Sequence, residues 1–142
     1  MTDVEVFVDP SCPWAWITTR WLKEVAPQRQ LSLTWRSYCL EIRDDYGVAA
    51  VVPDHLRDMV IAAHALSHRM LRVFEAARSE GGENAVDILY TEWGRRFFDD
   101  ASPHDDTLLS TCLAASGLEP EEPGFFEITR PRTNRPLPPA VI

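Results

Sequence analysis

At 142 residues the chain has room for one domain with a real hydrophobic core. Its 45% apolar and 25% charged content excludes wholesale disorder, collagen-like repeats and a small disulfide scaffold, and its net charge of −8 opposes binding to nucleic acid or to an anionic membrane surface. The apolar runs fall short of the ~18 residues a membrane span needs, and Met1-Thr2-Asp3-Val4-Glu5 lacks the basic and hydrophobic regions of a signal peptide, so a cytoplasmic location is expected.

Val4-Glu5-Val6-Phe7-Val8, closed by Asp9-Pro10, is a β-branched and aromatic run that predicts a first strand buried on both faces. Ser11 or Cys12 then caps a helix, Pro13 suits its first turn, and Trp14, Ile17, Trp21 and Val25 recur at helical spacing until Pro27 stops the run. Trp14 and Trp21 share a face while Trp16 points elsewhere; at least two of the three belong to the core. Leu31, Leu33 and Trp35 alternate with Ser32 and Thr34, predicting a second strand. The opening therefore reads as a βαβ unit with a right-handed parallel crossover, which leaves the Cys12 loop at the C-terminal edge of the strands, where such sheets keep their sites.

A long helix follows over 54–78, with Leu56, Met59, Val60, Ala63, Leu66, Met70, Val73, Phe74 and Ala77 as its stripe and Gly81-Gly82 as its stop. A second periodic run carries Val86, Leu89, Tyr90, Trp93 and Phe97. A third helix restarts at Ser102-Pro103 as cap and first residue, turns Leu108, Leu109, Cys112 and Leu113 inward, and ends on Gly117-Leu118 as a Schellman stop. Residues 119–142 hold too many prolines for a helix, and with Arg130, Arg132 and Arg135 read as a Pro- and Arg-rich tail of low order.

Three cysteines, odd in number and far apart, argue against a disulfide framework, so a special cysteine here is chemical. Cys12 is the candidate. A thiol at a helix N-terminus faces unpaired N–H groups and the positive end of the macrodipole, which favour thiolate over thiol. Cys112 falls on an apolar stripe and reads as core. Cys39, after the second strand, comes to the same sheet edge as Cys12 and is a second-rank candidate to resolve a bond to it, subject to the strict Cα spacing of a disulfide. His64 and His68, four apart, share a helix face and permit two-point metal contact; with no third ligand nearby in sequence, they read as solvent-side residues flanking the stripe. The pairs Asp44-Asp45, Asp99-Asp100 and Asp105-Asp106 read as caps and turns.

Phe7-Val8-Asp9-Pro10-Ser11-Cys12-Pro13-Trp14-Ala15-Trp16-Ile17 and the later Trp35-Arg36-Ser37-Tyr38 resemble the DsbA-like thioredoxin-fold family, in particular an actinobacterial branch that includes mycothiol-dependent nitroreductases. The resemblance covers residues 4–118 and implies an α/β fold with a thioredoxin-like βαβ start (1–44), a helical insertion (45–118) and the tail (119–142). It further implies a thiol-dependent oxidoreductase with Cys12 as nucleophile, Pro13, Trp14 and Ala15 contacting substrate, and mycothiol, or generically glutathione, as cosubstrate. No bound cofactor or metal is implied. Trp14, in the first turn, is the aromatic expected against a ligand.

Two departures from the family pattern shape the expectation. The usual site is Cys-Pro-Trp-Cys, and Ala15 stands where the resolving cysteine belongs, which leaves monothiol chemistry. The family's C-terminal ββα half, with its cis-proline loop, has no counterpart in the residues after Gly117, so the chain is expected to be a truncated or frame-shifted relative. An exposed sheet edge and apolar face, covered by oligomerisation or a partner, would follow. The alternatives are an enzyme like the kappa-class glutathione transferases, which carry serine at the matching position, and a non-catalytic relative.

Overall fold

The computed structural model describes residues 1–118. Strand β1 (Thr2–Val8), helix α1 (Pro13–Arg29) and strand β2 (Leu31–Ser37) open the chain, followed by a short helix α2 (Leu40–Arg43), a 3₁₀ turn (Asp54–Leu56), helix α3 (Arg57–Gly94), a π-helical turn (Arg95–Asp99) and helix α4 (Asp106–Ala115). The strands pair in parallel, Thr2 opposite Leu31 through Val8 opposite Ser37. This is the expected mixed α/β fold with a thioredoxin-like βαβ start and a helical remainder.

One core serves the whole of this region. Val8, Trp16 and Trp35 pack with Met70, Phe74, Leu89, Tyr90 and Trp93 of α3 and with Leu108, Leu109, Cys112 and Leu113 of α4. Polar ties fix the layers: Asp87 takes hydrogen bonds from Lys23 Nζ (2.6 Å) and Trp35 Nε1 (2.9 Å), and Arg78 donates to the Trp35 carbonyl at 2.6 Å. Among the described residues no helix is long and apolar enough to cross a membrane.

Several local expectations change on contact with the fold. β1 is not buried on both faces. Val6 and Val8 turn to the core, whereas Glu5 and Phe7 are exposed, and Glu5 pairs with Arg36 of β2. Nor does Pro27 stop α1. The helix continues to Arg29 and ends where Gln30 adopts φ 53° and returns its N–H to the Ala26 carbonyl; a proline one turn from the end forfeits its own N–H bond without cutting short what remains. Ser102 is not the cap of α4. Asp105 is, its carboxylate accepting from Thr107 N at 2.9 Å, while Ser102 N is used by the Arg96 carbonyl.

Other expectations hold. Regular helix breaks at Gly82, whose φ 69° and ψ −163° lie in a region essentially reserved for glycine, and α3 resumes beyond it. At the end of α4, Gly117 N reaches Ala114 O at 3.2 Å and Leu118 N reaches Leu113 O at 3.1 Å, the two bonds of a Schellman motif. The tail, residues 119–142, lies outside the described residues.

The face of α1 that meets the core carries Trp16, Thr19 and Ala26. Trp14, Ile17 and Trp21, at 77%, 58% and 59% exposure, form the outward stripe, the reverse of the burial expected from their spacing. The cause is Gly94. The Trp16 indole lies where a Cβ on Gly94 would stand, and it stacks on Phe98 at 6.0 Å, meets Tyr90 edge-on at 5.7 Å and donates to Asp99 Oδ1 at 3.3 Å. Gly94→Ala is therefore expected to overpack this contact and lower stability by about 1–3 kcal/mol, measured as a fall in the denaturation midpoint.

Candidate active site

Asp9 organises the loop between β1 and α1. It is 2% exposed, and its carboxylate accepts from Ser11 N (2.7 Å), Ser11 Oγ (2.6 Å), Ser67 Oγ of α3 (2.6 Å) and Leu40 N of α2 (2.7 Å). Ser67 Oγ in turn accepts from Ser11 N at 3.0 Å. A buried carboxylate is tolerated only when its lone pairs are taken up in this way. The local part is an Asx turn, in which an aspartate side chain mimics a backbone turn. The long-range part clamps three segments, the loop after β1, the start of α2 and the middle of α3, around one side chain. The backbone repeats the theme: Cys12 N bonds Asp9 O at 2.9 Å and Tyr38 N bonds Val8 O at 2.9 Å. Trp93, fully buried, donates to the Pro10 carbonyl at 2.9 Å.

Out of this clamp emerges Cys12, half-buried, a free thiol and the N-cap of α1. Pro13 brings no N–H to the first turn, and helix geometry leaves the Trp14 and Ala15 N–H groups without intrahelical acceptors. The Cys12 side chain makes no capping hydrogen bond with them, so donors and thiol stand together at the positive end of a 17-residue helix. Pro13 and Trp14 are exposed, whereas Ala15 is half-buried and packs against the core. Cys12, Pro13, Trp14 and Ala15 thus form a continuous stretch in which Trp14 offers a flat aromatic surface to solvent.

Beneath α1 lies an aromatic and cationic layer. The Arg20 guanidinium sits 4.1 Å over the Trp16 ring and donates to Thr91 Oγ1 at 3.0 Å; burial lowers its pKa, opposed by Tyr90, Asp87 and Asp99. Tyr90 is fully buried. Burial pushes its phenol up to about 12, partly offset by Thr19 and the Arg20 cation.

The other cysteines differ in kind. Cys112 is fully buried on α4, as expected, and burial pushes its thiol up to about 12. Cys39 is a free, half-buried thiol capping α2. Burial pushes it up to about 11, against hydrogen bonding from the Ile42 backbone.

The histidines depart from the sequence reading. His64 is 8% exposed rather than solvent-facing. His68 meets residues far away in the chain: its Nδ1 lies 2.7 Å from Glu41 Oε2, and Cys39, Glu41 and His68 each place one donor atom within 4.8 Å of the others. Neither this cluster nor the Asp9 clamp is visible in sequence spacing. The Asp-Pro-Ser turn after a strand is the one local signal that pointed to Asp9.

A family model described as Rv2466c-like, mycothiol-dependent nitroreductase Rv2466c, matches residues 11–128.

Asp9→Asn tests the clamp. The amide keeps one acceptor oxygen but turns an NH₂ toward donors it cannot satisfy, so a loss of about 2–3 kcal/mol is expected, read from chemical denaturation as a lower midpoint.

Proposed function

This chain belongs to the Rv2466c-like family of mycothiol-dependent nitroreductases, and from that premise we propose that Cys12 is its single nucleophilic cysteine, working with mycothiol in a DsbA-like thiol-disulfide cycle. The observation that carries the reading is the seat of Cys12: a half-buried free thiol at the N-terminus of α1, directly after the Asp9 clamp.

The cycle balances with one protein thiol. Cys12 and one mycothiol together give two electrons and two protons to a nitro group, which becomes a nitroso group and water, and the two sulfurs join as a mixed disulfide. A second mycothiol attacks the mycothiol sulfur of that bond, releasing the Cys12 thiol and mycothiol disulfide. With Ala15 in place of a resolving cysteine, this last step falls to a small thiol; glutathione is the generic substitute. Pro13 and Trp14 supply the exposed wall of the binding surface, Trp14 stacking against a flat substrate, while Ala15 packs beneath the thiol. In this reading residues 1–44 are the thioredoxin-like unit that carries the nucleophile, and residues 45–118 are the insertion that clamps it. Ile17 and Trp21, exposed along the outward stripe of α1, support the further proposal of an oligomer that covers that stripe.

The test is turnover of a nitroaromatic with mycothiol, together with intact-mass analysis. A mycothiol adduct on Cys12 is expected, and Cys12→Ser is expected to lose about a thousandfold or more in rate. Turnover that survives Cys12→Ser would favour the kappa-class transferase-like reading, and absence of both adduct and turnover a non-catalytic relative.

Trp14→Ala separates binding from folding. Removing so exposed a side chain is expected to shift stability by no more than about 0.5 kcal/mol and to raise KM for the nitroaromatic about tenfold with little change in kcat, measured by steady-state kinetics.

A further inference from the structure

We propose that Cys39, Glu41 and His68 form a binding site for a zinc-class divalent cation, distinct from the Cys12 site. Their donor atoms already lie within 4.8 Å of one another, close enough that small side-chain rotations bring all three to the 2.0–2.3 Å bonds of tetrahedral zinc. Two elements supply them: Cys39 and Glu41 come from the start of α2, and His68 projects from α3 across from it. The side chains of His68 and Glu41 are only 14% and 16% exposed, and Cys39 packs against the core, so the donors are held in place rather than waving in solvent.

The donor set selects the metal. A thiolate and an imidazole favour zinc over magnesium or calcium, which prefer all-oxygen shells. Thiolate and carboxylate together carry two negative charges and neutralise a divalent ion without importing a counter-charge into a half-buried place. Three protein ligands leave the fourth position to water. On the same face of α3, one turn toward its N-terminus, His64 is buried with Nδ1 lacking a hydrogen-bond partner among the described residues. A helix turn of this kind places His64 and His68 on one side of α3, and the three grouped donors remain Cys39, Glu41 and His68.

Binding exchanges protons in a defined way. The metal replaces the Cys39 thiol proton, which leaves to solvent; the His68 ring keeps one proton, on whichever nitrogen does not face the metal; and Glu41 gives up its hydrogen bond to His68 for a bond to the ion. No electrons move. One consequence reaches the active site: Leu40 N and Ser11 N share the Asp9 carboxylate, so a metal on Cys39 stiffens the loop beside Cys12 and withholds Cys39 from thiol exchange. The site itself does not depend on the assignment of Cys12.

The test uses the chelator-treated full chain titrated with Co²⁺ and Zn²⁺. One equivalent of Co²⁺ is expected to give a thiolate-to-metal charge-transfer band that Zn²⁺ displaces. The band is expected to persist in Cys12→Ser and Cys112→Ser, and to vanish in Cys39→Ser. His68→Gln and Glu41→Gln, with native circular dichroism, are each expected to weaken affinity by about 100-fold or more, since losing a direct ligand costs at least as much as losing an outer-shell partner. A readout without mutation accompanies it: in the unaltered protein Zn²⁺ is expected to slow alkylation of Cys39 by about tenfold or more while leaving Cys12 unchanged, followed by peptide mass mapping. A band that survives Cys39→Ser, or alkylation of Cys39 indifferent to saturating Zn²⁺, would overturn the proposal.

Discussion

The carboxylate of Asp9 is the constraint on which the rest depends. Buried charge is costly unless its lone pairs are satisfied, and here the donors come from three separate stretches of chain: Ser11 in its own loop, Leu40 after β2, and Ser67 on α3. Satisfying one carboxylate therefore forces the ends of both strands and the middle of the long helix into one place. The position of Cys12 at the head of α1 and that of Cys39 at the head of α2 are both set by that requirement. A side chain buried in the interior thus fixes where the Cys12 thiol stands.

Above this hub, α1 is held by shape rather than charge. Trp16 fills the space that Gly94 leaves, with Phe98 and Tyr90 around it and Arg20 over its ring. Lys23 and Trp35 converge on Asp87, so α1 and β2 are anchored to the same half of α3. Polar convergence and aromatic packing settle different things about the helix: Asp9 fixes where it starts, and Trp16 fixes which face it turns inward.

How much of this could be read from the sequence follows the range of each interaction. The βαβ opening, the break at Gly82, the Schellman stop and the burial of Cys112 come from patterns a few residues wide, and periodicity reports those faithfully. Cys12 at a strand-to-helix loop was legible for the same reason. The face of α1 was not: Trp14-Ile17-Trp21 and Trp16-Thr19-Ala26 both repeat at helical spacing, and only the Trp16–Gly94 contact, 78 residues apart in numbering, decides between them. Asp9 reads in sequence as the end of a strand because two of its partners, Leu40 and Ser67, reach it only once α2 and α3 fold over it. His68 showed its partner His64 in sequence, but Glu41 and Cys39 reach it through tertiary packing that spacing does not encode.

The pairing of the bulkiest side chain with a position that has none acts as a mechanical detent. Sliding α1 along α3 by a single residue would drive the Trp16 indole into a neighbouring Cβ, so the helix has one seat rather than a continuum of them. The sulfur at its head inherits that indexing, and its height along α3 is set in a discrete step by an indole that faces away from the solvent side of the site.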